Sequence, residues 1–336
     1  MNESVILMNP ADTLPFLSGL YAWGIAVIRN IQVIKNPAIT FLMKAISSMG
    51  TEYFHIVIVL LIYCCADEKR GFRLGLIVII SGWINMTLKS LFGQPRPFNF
   101  DPAIGLAYEP SAGFPSGHAQ MSATFWIAAA FLFAKGKIKK PLWIVSFAFI
   151  LLIGFSRLYL GVHFPTDVFG GWIAACIILG SFYFIEKPAS PFFVKTGKRL
   201  QLIIAAVAAI LMNALHRQDT SLSGMFLGFC AGYSLMINHF PFTASIKHNG
   251  QKFFTTLLAR SALALAGFFI IYFGFRFILP GKDSLYSGVN FLVPYYELSR
   301  FIRYGLMGLW ASAGIPWLLI KTGLADSVKT AEKSDR

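Results

Sequence analysis

Apolar residues in this chain arrive in blocks about as long as a bilayer's hydrocarbon core is thick, a distance that takes about 20 helical residues to cross. The blocks lie near 52–66, 74–92, 118–134, 141–158, 164–185, 201–217, 221–239, 256–279 and 301–320. Hydrocarbon offers no water to backbone N–H and C=O groups, so segments of this kind must satisfy them internally, as helices do. The expected fold is all-α: a polytopic membrane helical bundle of about nine transmembrane helices. Composition points the same way. The 336 residues are 56% hydrophobic and 13% charged, against about 45–50% and 25% in soluble domains. A soluble two-domain enzyme is excluded.

The stretch from Leu14 to Ile34 holds a shorter apolar run that ends at Arg29 and Asn30, which favours a helix lying in the interface over a span. The linear division that follows is an N-terminal interfacial segment (1–36), a core (37–186), a C-terminal transmembrane extension (187–324) and a polar, disordered tail (325–336). Cys64, Cys65, Cys176 and Cys230 all lie in apolar stretches without ligand spacing, so they carry no disulfide or zinc signal. The net charge of +14, from 29 Lys and Arg against 15 Asp and Glu, has no basic face with interleaved aromatics to suit nucleic acid. It is concentrated instead in loops. Lys69, Arg70 and Arg73, then Lys135, Lys137, Lys139 and Lys140, then Lys187, Lys195, Lys198 and Arg199 mark three cytoplasmic loops, because cations near span ends are retained on that side. Loops 93–115 and 159–163, with one basic residue between them, then face the exterior or a lumen, as does the N-terminus in a nine-span chain.

Ionisable groups at span ends are expensive to desolvate and mark function more often than accident. Six of them fall on the outer side of this topology: Lys89, Arg96, His118, Arg157, His163 and Asp167. Singly, Lys89 reads as a snorkelling lysine, Ser116 as a helix N-cap and Arg157 as a topology anchor; their convergence on one face is the signal. Three cations suit a phosphoryl group, whose transfer chiefly needs charge stabilisation. In Pro115-Ser116-Gly117-His118 a loop turns into a helix, so free N–H groups and the helix dipole favour an anion. His163 and Asp167, four apart, share a helix face, where the carboxylate can orient the imidazole and leave its other nitrogen free for attack. His118 is then available as general acid. Nothing in this set calls for a metal or another cofactor.

Lys89-x6-Arg96-Pro97, Pro115-Ser116-Gly117-His118 and Ser156-Arg157-x5-His163-x3-Asp167 together resemble the three-part signature of the type 2 phosphatidic acid phosphatase superfamily. The resemblance covers about residues 37–186 and implies a helical bundle and a metal-independent phosphatase that works through a phosphohistidine. By that likeness His163 is the nucleophile, Asp167 its orienting partner and His118 the general acid, with Lys89, Arg96, Ser116, Gly117 and Arg157 binding phosphate. The layout, with its additional spans, is similar to the glucose-6-phosphatase branch.

The expected function is hydrolysis of a lipid-linked phosphate or diphosphate at the extracytoplasmic or luminal face of a cell or inner membrane. Lipid phosphate is the expected substrate, membrane lipids are the surroundings, and nucleic acid is no partner. Phe98, Phe100, Tyr108 and Phe114 in loop 93–115 suit anchoring among headgroups. A soluble sugar phosphate as substrate, or a transporter or scaffold that binds a phosphorylated ligand without turnover, are the alternatives.

Overall fold

The computed structural model describes residues 15–216, 219–246, 251–278 and 295–327. Each of the nine apolar blocks is helical over most of its described residues. In chain order the helices are α1 (Pro15–Ile31), α2 (Pro37–Ser48), α3 (Glu52–Cys65), α4 (Glu68–Phe92), the short α5 (Pro97–Phe100), α6 (Gly117–Phe133), α7 (Lys139–Tyr159), α8 (Pro165–Lys195), α9 (Lys198–Leu215), α10 (Ser221–His239), α11 (Gln251–Ile278), α12 (Tyr296–Leu309) and α13 (Ile315–Lys321). A π-helical turn, Trp310–Gly314, joins the last two.

Among the described residues, six segments are long and apolar enough to cross a membrane: Phe16–Ile34, Glu68–Phe100, Gly136–Tyr159, Pro165–Lys187, Lys198–Leu215 and Phe253–Phe275. A seventh arises if α2 and α3, bent by 51° at their junction, count as one broken span. The count of nine is therefore not reached by this measure. α6 has 17 residues, and Gly, Ser and Asn dilute the apolar character of α10. Within the stretch expected to lie in the interface, Phe16–Ile34 is long and apolar enough to span. α2, which the apolar blocks did not mark, has only 12 residues, about 18 Å of helix. Asn36 starts it, its side chain accepting the Ile39 N–H at 2.9 Å, with Pro37 in the first turn.

Two compact units interleave along the chain. The first takes residues up to His55 and Ile84–Tyr183; the second takes Ile56–Trp83 and residues from Phe184 onward.

Among the described residues, apolar groups that hold the first unit are Tyr21, Ile25, Ile28, Ile104 and Phe164; Met43, Phe98, Tyr159, Leu160 and Val162; and Ala123, Ile150 and Ala175. Polar ties bind the loops to these helices. Gln32 Nε2 donates to the Ile104 and Tyr159 carbonyls at 2.8 and 2.7 Å, and Thr40 meets the Tyr159 hydroxyl at 3.0 Å. The loop aromatics expected among headgroups are mostly turned inward. Phe98 is buried, Phe100 packs on Tyr21 and Phe164, and Phe114 on Phe92; Tyr108 alone of the four is exposed.

In the second unit α10 lies against α12 along Gly224, Gly228 and Gly232. A Cβ on Gly228 would stand 1.8 Å from the Gly305 carbonyl oxygen, the close approach that small residues permit between membrane helices. Arg260, buried, donates to the Leu324 and Ala244 carbonyls at 2.7 Å each. These bonds fix the region where the polar tail was expected to begin. Ala325 is buried, the Asp326 carbonyl accepts the Thr243 N–H at 3.3 Å and Ser327 bridges to Phe242. Tail residues 328–336 lie outside the described residues.

Candidate active site

All eight residues expected at the site belong to the first unit, at the end where α4 and α7 finish and α6 and α8 begin. Arg96 organises the loops. Its Nε donates to the Ser111 carbonyl at 2.6 Å, Nη1 to the Val162 carbonyl at 2.8 Å, and Nη2 to Ser111 Oγ at 3.0 Å and the Ala112 carbonyl at 3.3 Å. One guanidinium thereby joins loop 108–113 to the turn that carries His163, which is how the fold stays fixed without helix at either place. Lys89, on the last turns of α4, donates to the Ala112 carbonyl and to that of Gly113 at 3.4 Å.

The turn after α7 sets the position of His163. Gly161 has φ +66°, a conformation that side chains with a Cβ rarely adopt, and the following residues enter α8 at Pro165. Asp167, one turn on, accepts the Phe164 N–H at 2.9 Å and meets His163 Nδ1 at 3.2 Å, both through Oδ2. A carboxylate there puts the ring proton on Nδ1 and leaves the Nε2 lone pair facing Arg96 Nη1, 3.2 Å away. His163 is fully buried. Burial first, then the charges of Arg96, Arg157 and Lys89 with His118, hold its pKa well below the ordinary histidine value. The imidazole is neutral at physiological pH.

Ser116 is the N-cap of α6, its hydroxyl accepting the Ala119 N–H at 3.5 Å, while its own N–H is bonded to the Asp167 carbonyl at 2.9 Å. Gly117 passes close to α4: a Cβ there would meet Asn85 Oδ1 at 2.9 Å and Lys89 Cε at 3.9 Å. The half-buried His118 follows on the first turn.

Sequence reasoning missed the group at the centre. The Glu109 carboxylate stands 2.9 Å from Arg96 Nη2, pairs with Arg157 Nη2, and lies 3.9 Å from His118 Nδ1 and 3.8 Å from His163 Nε2. Burial pushes its pKa up, but Arg157 and Arg96, helped by His118, outweigh that and hold it at about 2. Arg157 is buried; Nη1 donates to Ser47 Oγ, and among the described residues Nε has no hydrogen-bond partner. An anion's two oxygens thus already sit among two guanidiniums and two imidazoles, with a further donor unused. Among the described residues no group of three His, Cys, Asp or Glu side chains is placed to hold a metal ion.

A cation cradle beside a carboxylate-oriented imidazole, on a helical membrane scaffold, defines an enzyme of phosphate esters. Comparison with known proteins gives the family. Residues 70–189 match the PAP2 superfamily, and residues 220–327 match the transmembrane extension of PAP2 superfamily phosphatases. The chain is 31% identical over 156 residues to phosphatidylglycerophosphatase B of Bacillus subtilis (strain 168), covering 44% of this chain and 75% of that protein. It is 32% identical over 155 residues to undecaprenyl-diphosphatase BcrC of the same organism, covering 46% and 73%. With sphingosine-1-phosphate phosphatase 1 of Mus musculus the identity is 30% over 325 residues, covering 87% of this chain and 74% of that protein. The chain belongs to the PAP2 superfamily, the type 2 phosphatidic acid phosphatases that its three motifs resemble, and is an integral membrane phosphatase.

Proposed function

We propose that this phosphatase hydrolyses a lipid-linked phosphate or diphosphate at the extracytoplasmic face, through a phosphohistidine on His163. The observation that carries the reading is the seat of the Glu109 carboxylate between Arg96, Arg157, His118 and His163. A phosphoryl group entering there displaces Glu109, gains both guanidiniums and meets the His163 lone pair. His163 Nε2 attacks phosphorus, the bond to the leaving oxygen breaks, and His118 protonates that oxygen. Water, deprotonated by His118, then attacks the phosphorus, the P–N bond breaks, and inorganic phosphate leaves with His163 again neutral. Asp167 keeps the Nδ1 proton in place throughout. Lys89 holds the 111–113 loop and adds positive charge, while Ser116 and Gly117 present the α6 N-terminus. The cationic loops at the other ends of the spans support the outward side, and the named activities of the relatives support a lipid substrate.

Phosphate release by the purified protein in detergent with EDTA tests this. The panel is phosphatidate, phosphatidylglycerol phosphate, sphingosine 1-phosphate, a polyprenyl diphosphate and glucose 6-phosphate. Release from one or more lipids, undiminished by the chelator, is expected. Preference for glucose 6-phosphate would overturn the lipid assignment, and release from none would leave a binding protein.

Because the Glu109 carboxylate sits where the proposed anion would bind, Glu109→Gln should admit anions more readily. Inhibition by inorganic phosphate or vanadate should tighten about tenfold, the equivalent of one charge-assisted hydrogen bond of about 1.5 kcal/mol. Weaker inhibition would mean that the carboxylate organises the two arginines rather than standing in for substrate.

A further inference from the structure

At the opposite end of α7 from Arg157, about 27 Å along the helix axis, the first unit carries a second feature that the catalytic reading does not use. A groove of about 770 Å³ opens there, with Lys137, Lys139, Lys140, Trp143, Phe147 and Leu151 among its lining residues. The 3-10 turn Gly136–Ile138 feeds directly into the first turn of α7, which brings the three lysines together. All three are exposed, and among the described residues none of them forms an ion pair. No acidic residue lines the groove.

The apolar lining is as one-sided as the charge. Ile144, Phe147 and Leu151 follow Lys140 at helical spacing on one face and are 58%, 52% and 57% exposed. Trp143 and Phe147 stack with ring centroids 5.8 Å apart, making a flat wall. From Lys140 to Leu151 the strip runs about 16 Å, close to the depth of one leaflet of a hydrocarbon core about 30 Å thick. Three lysines followed by an apolar strip one acyl chain deep have the shape and charge of a seat for a single lipid. Basic pockets beside transmembrane helices recognise anionic headgroups in this way.

We propose that the α7 groove binds an anionic glycerophospholipid, its phosphate among Lys137, Lys139 and Lys140 and one acyl chain along Trp143, Phe147 and Leu151. The site lies in the leaflet away from the phosphatase centre and is independent of the substrate assignment.

Native mass spectrometry of the purified full-length protein tests it, with phosphatidylglycerol and phosphatidylcholine of identical chains as probes. Wild type should retain phosphatidylglycerol at least about tenfold better than phosphatidylcholine. K137Q/K139Q/K140Q should bring the two within about twofold, and K137R/K139R/K140R should keep the preference. Glycerol 3-phosphate should not displace the bound lipid. Equal retention of the two lipids by wild type would overturn the proposal without reliance on any variant. A preference that survives the glutamine substitutions would place the lipid elsewhere, the catalytic centre included. Displacement by glycerol 3-phosphate would reduce the site to one for free phosphate esters.

Discussion

Replacing His163 with alanine should abolish phosphate release, by more than about a thousandfold, with the folded protein still recovered from the membrane. The expectation rests on what the imidazole does and on what its removal leaves behind. Nδ1 is tied to Asp167, Nε2 lies 3.8 Å from the Glu109 carboxylate, and burial with the nearby cations favours the neutral ring, so in the proposed reaction His163 is the nucleophile aligned with a phosphoryl group held by Arg96 and Arg157. The scaffold around it keeps most of its bonds: Asp167 still accepts the Phe164 N–H and Arg96 still donates to the Val162 carbonyl. Activity above a tenth of wild type would remove the phosphohistidine. A phosphoenzyme trapped during turnover of wild type, and missing from His163→Ala, would establish it independently. Because the pKa of His163 is depressed, the nucleophile is not protonated as pH falls through 6.5, and the acid limb of the rate profile should lie below that value.

The residues proposed to carry this chemistry stand out in the sequence because phosphoryl transfer restricts which side chains can serve. Lys89, Arg96, His118, Arg157, His163 and Asp167 are costly at span ends and converge for that reason. Glu109 was not legible. It is a lone acid in a Pro-Ser-Gly-rich loop, and only the folding of that loop around Arg96 turns it inward. The same folding explains the aromatic residues: once Arg96 draws the loop onto the turn at Val162, Phe98 and Phe100 complete the unit's interior rather than facing lipid. At the N-terminus the apolar run was read as ending at Arg29. That guanidinium reaches Asp101 at 2.8 Å, and the apolar residues before it lie on one helix, α1. The glycine ladder on α10 was present in the sequence at four-residue spacing, but spacing alone does not say which helix it meets. Gly305 on α12 supplies that answer.

Gly161→Ala should be the most damaging single-methyl change near the site. Two costs coincide at this position. The left-handed backbone, φ +66°, costs a non-glycine residue about 1–2 kcal/mol. The added Cβ would also stand 1.9 Å from the Ile104 carbonyl oxygen, and a contact under 3.0 Å obliges something to shift. Neither side of that contact is the end of a flexible side chain. On one side is the backbone at Ile104, whose carbonyl also accepts Gln32; on the other is the turn in which the Leu160 carbonyl accepts the Leu106 N–H at 2.9 Å and the Val162 carbonyl accepts Arg96. Relief needs a backbone displacement of about 1 Å, two residues before the nucleophile, and a misplacement of that size costs about a hundredfold in rate. The expected result is a lowered thermal midpoint together with a turnover number reduced at least about a hundredfold after correction for folded protein. Gly323→Ala separates the two causes: Gly323 has φ +70° but, among the described residues, nothing within 4 Å of its added Cβ, so it should lose a little stability and keep its activity. Equal effects from the two substitutions would assign the loss to backbone conformation alone and dismiss the contact with Ile104 as the device that places His163.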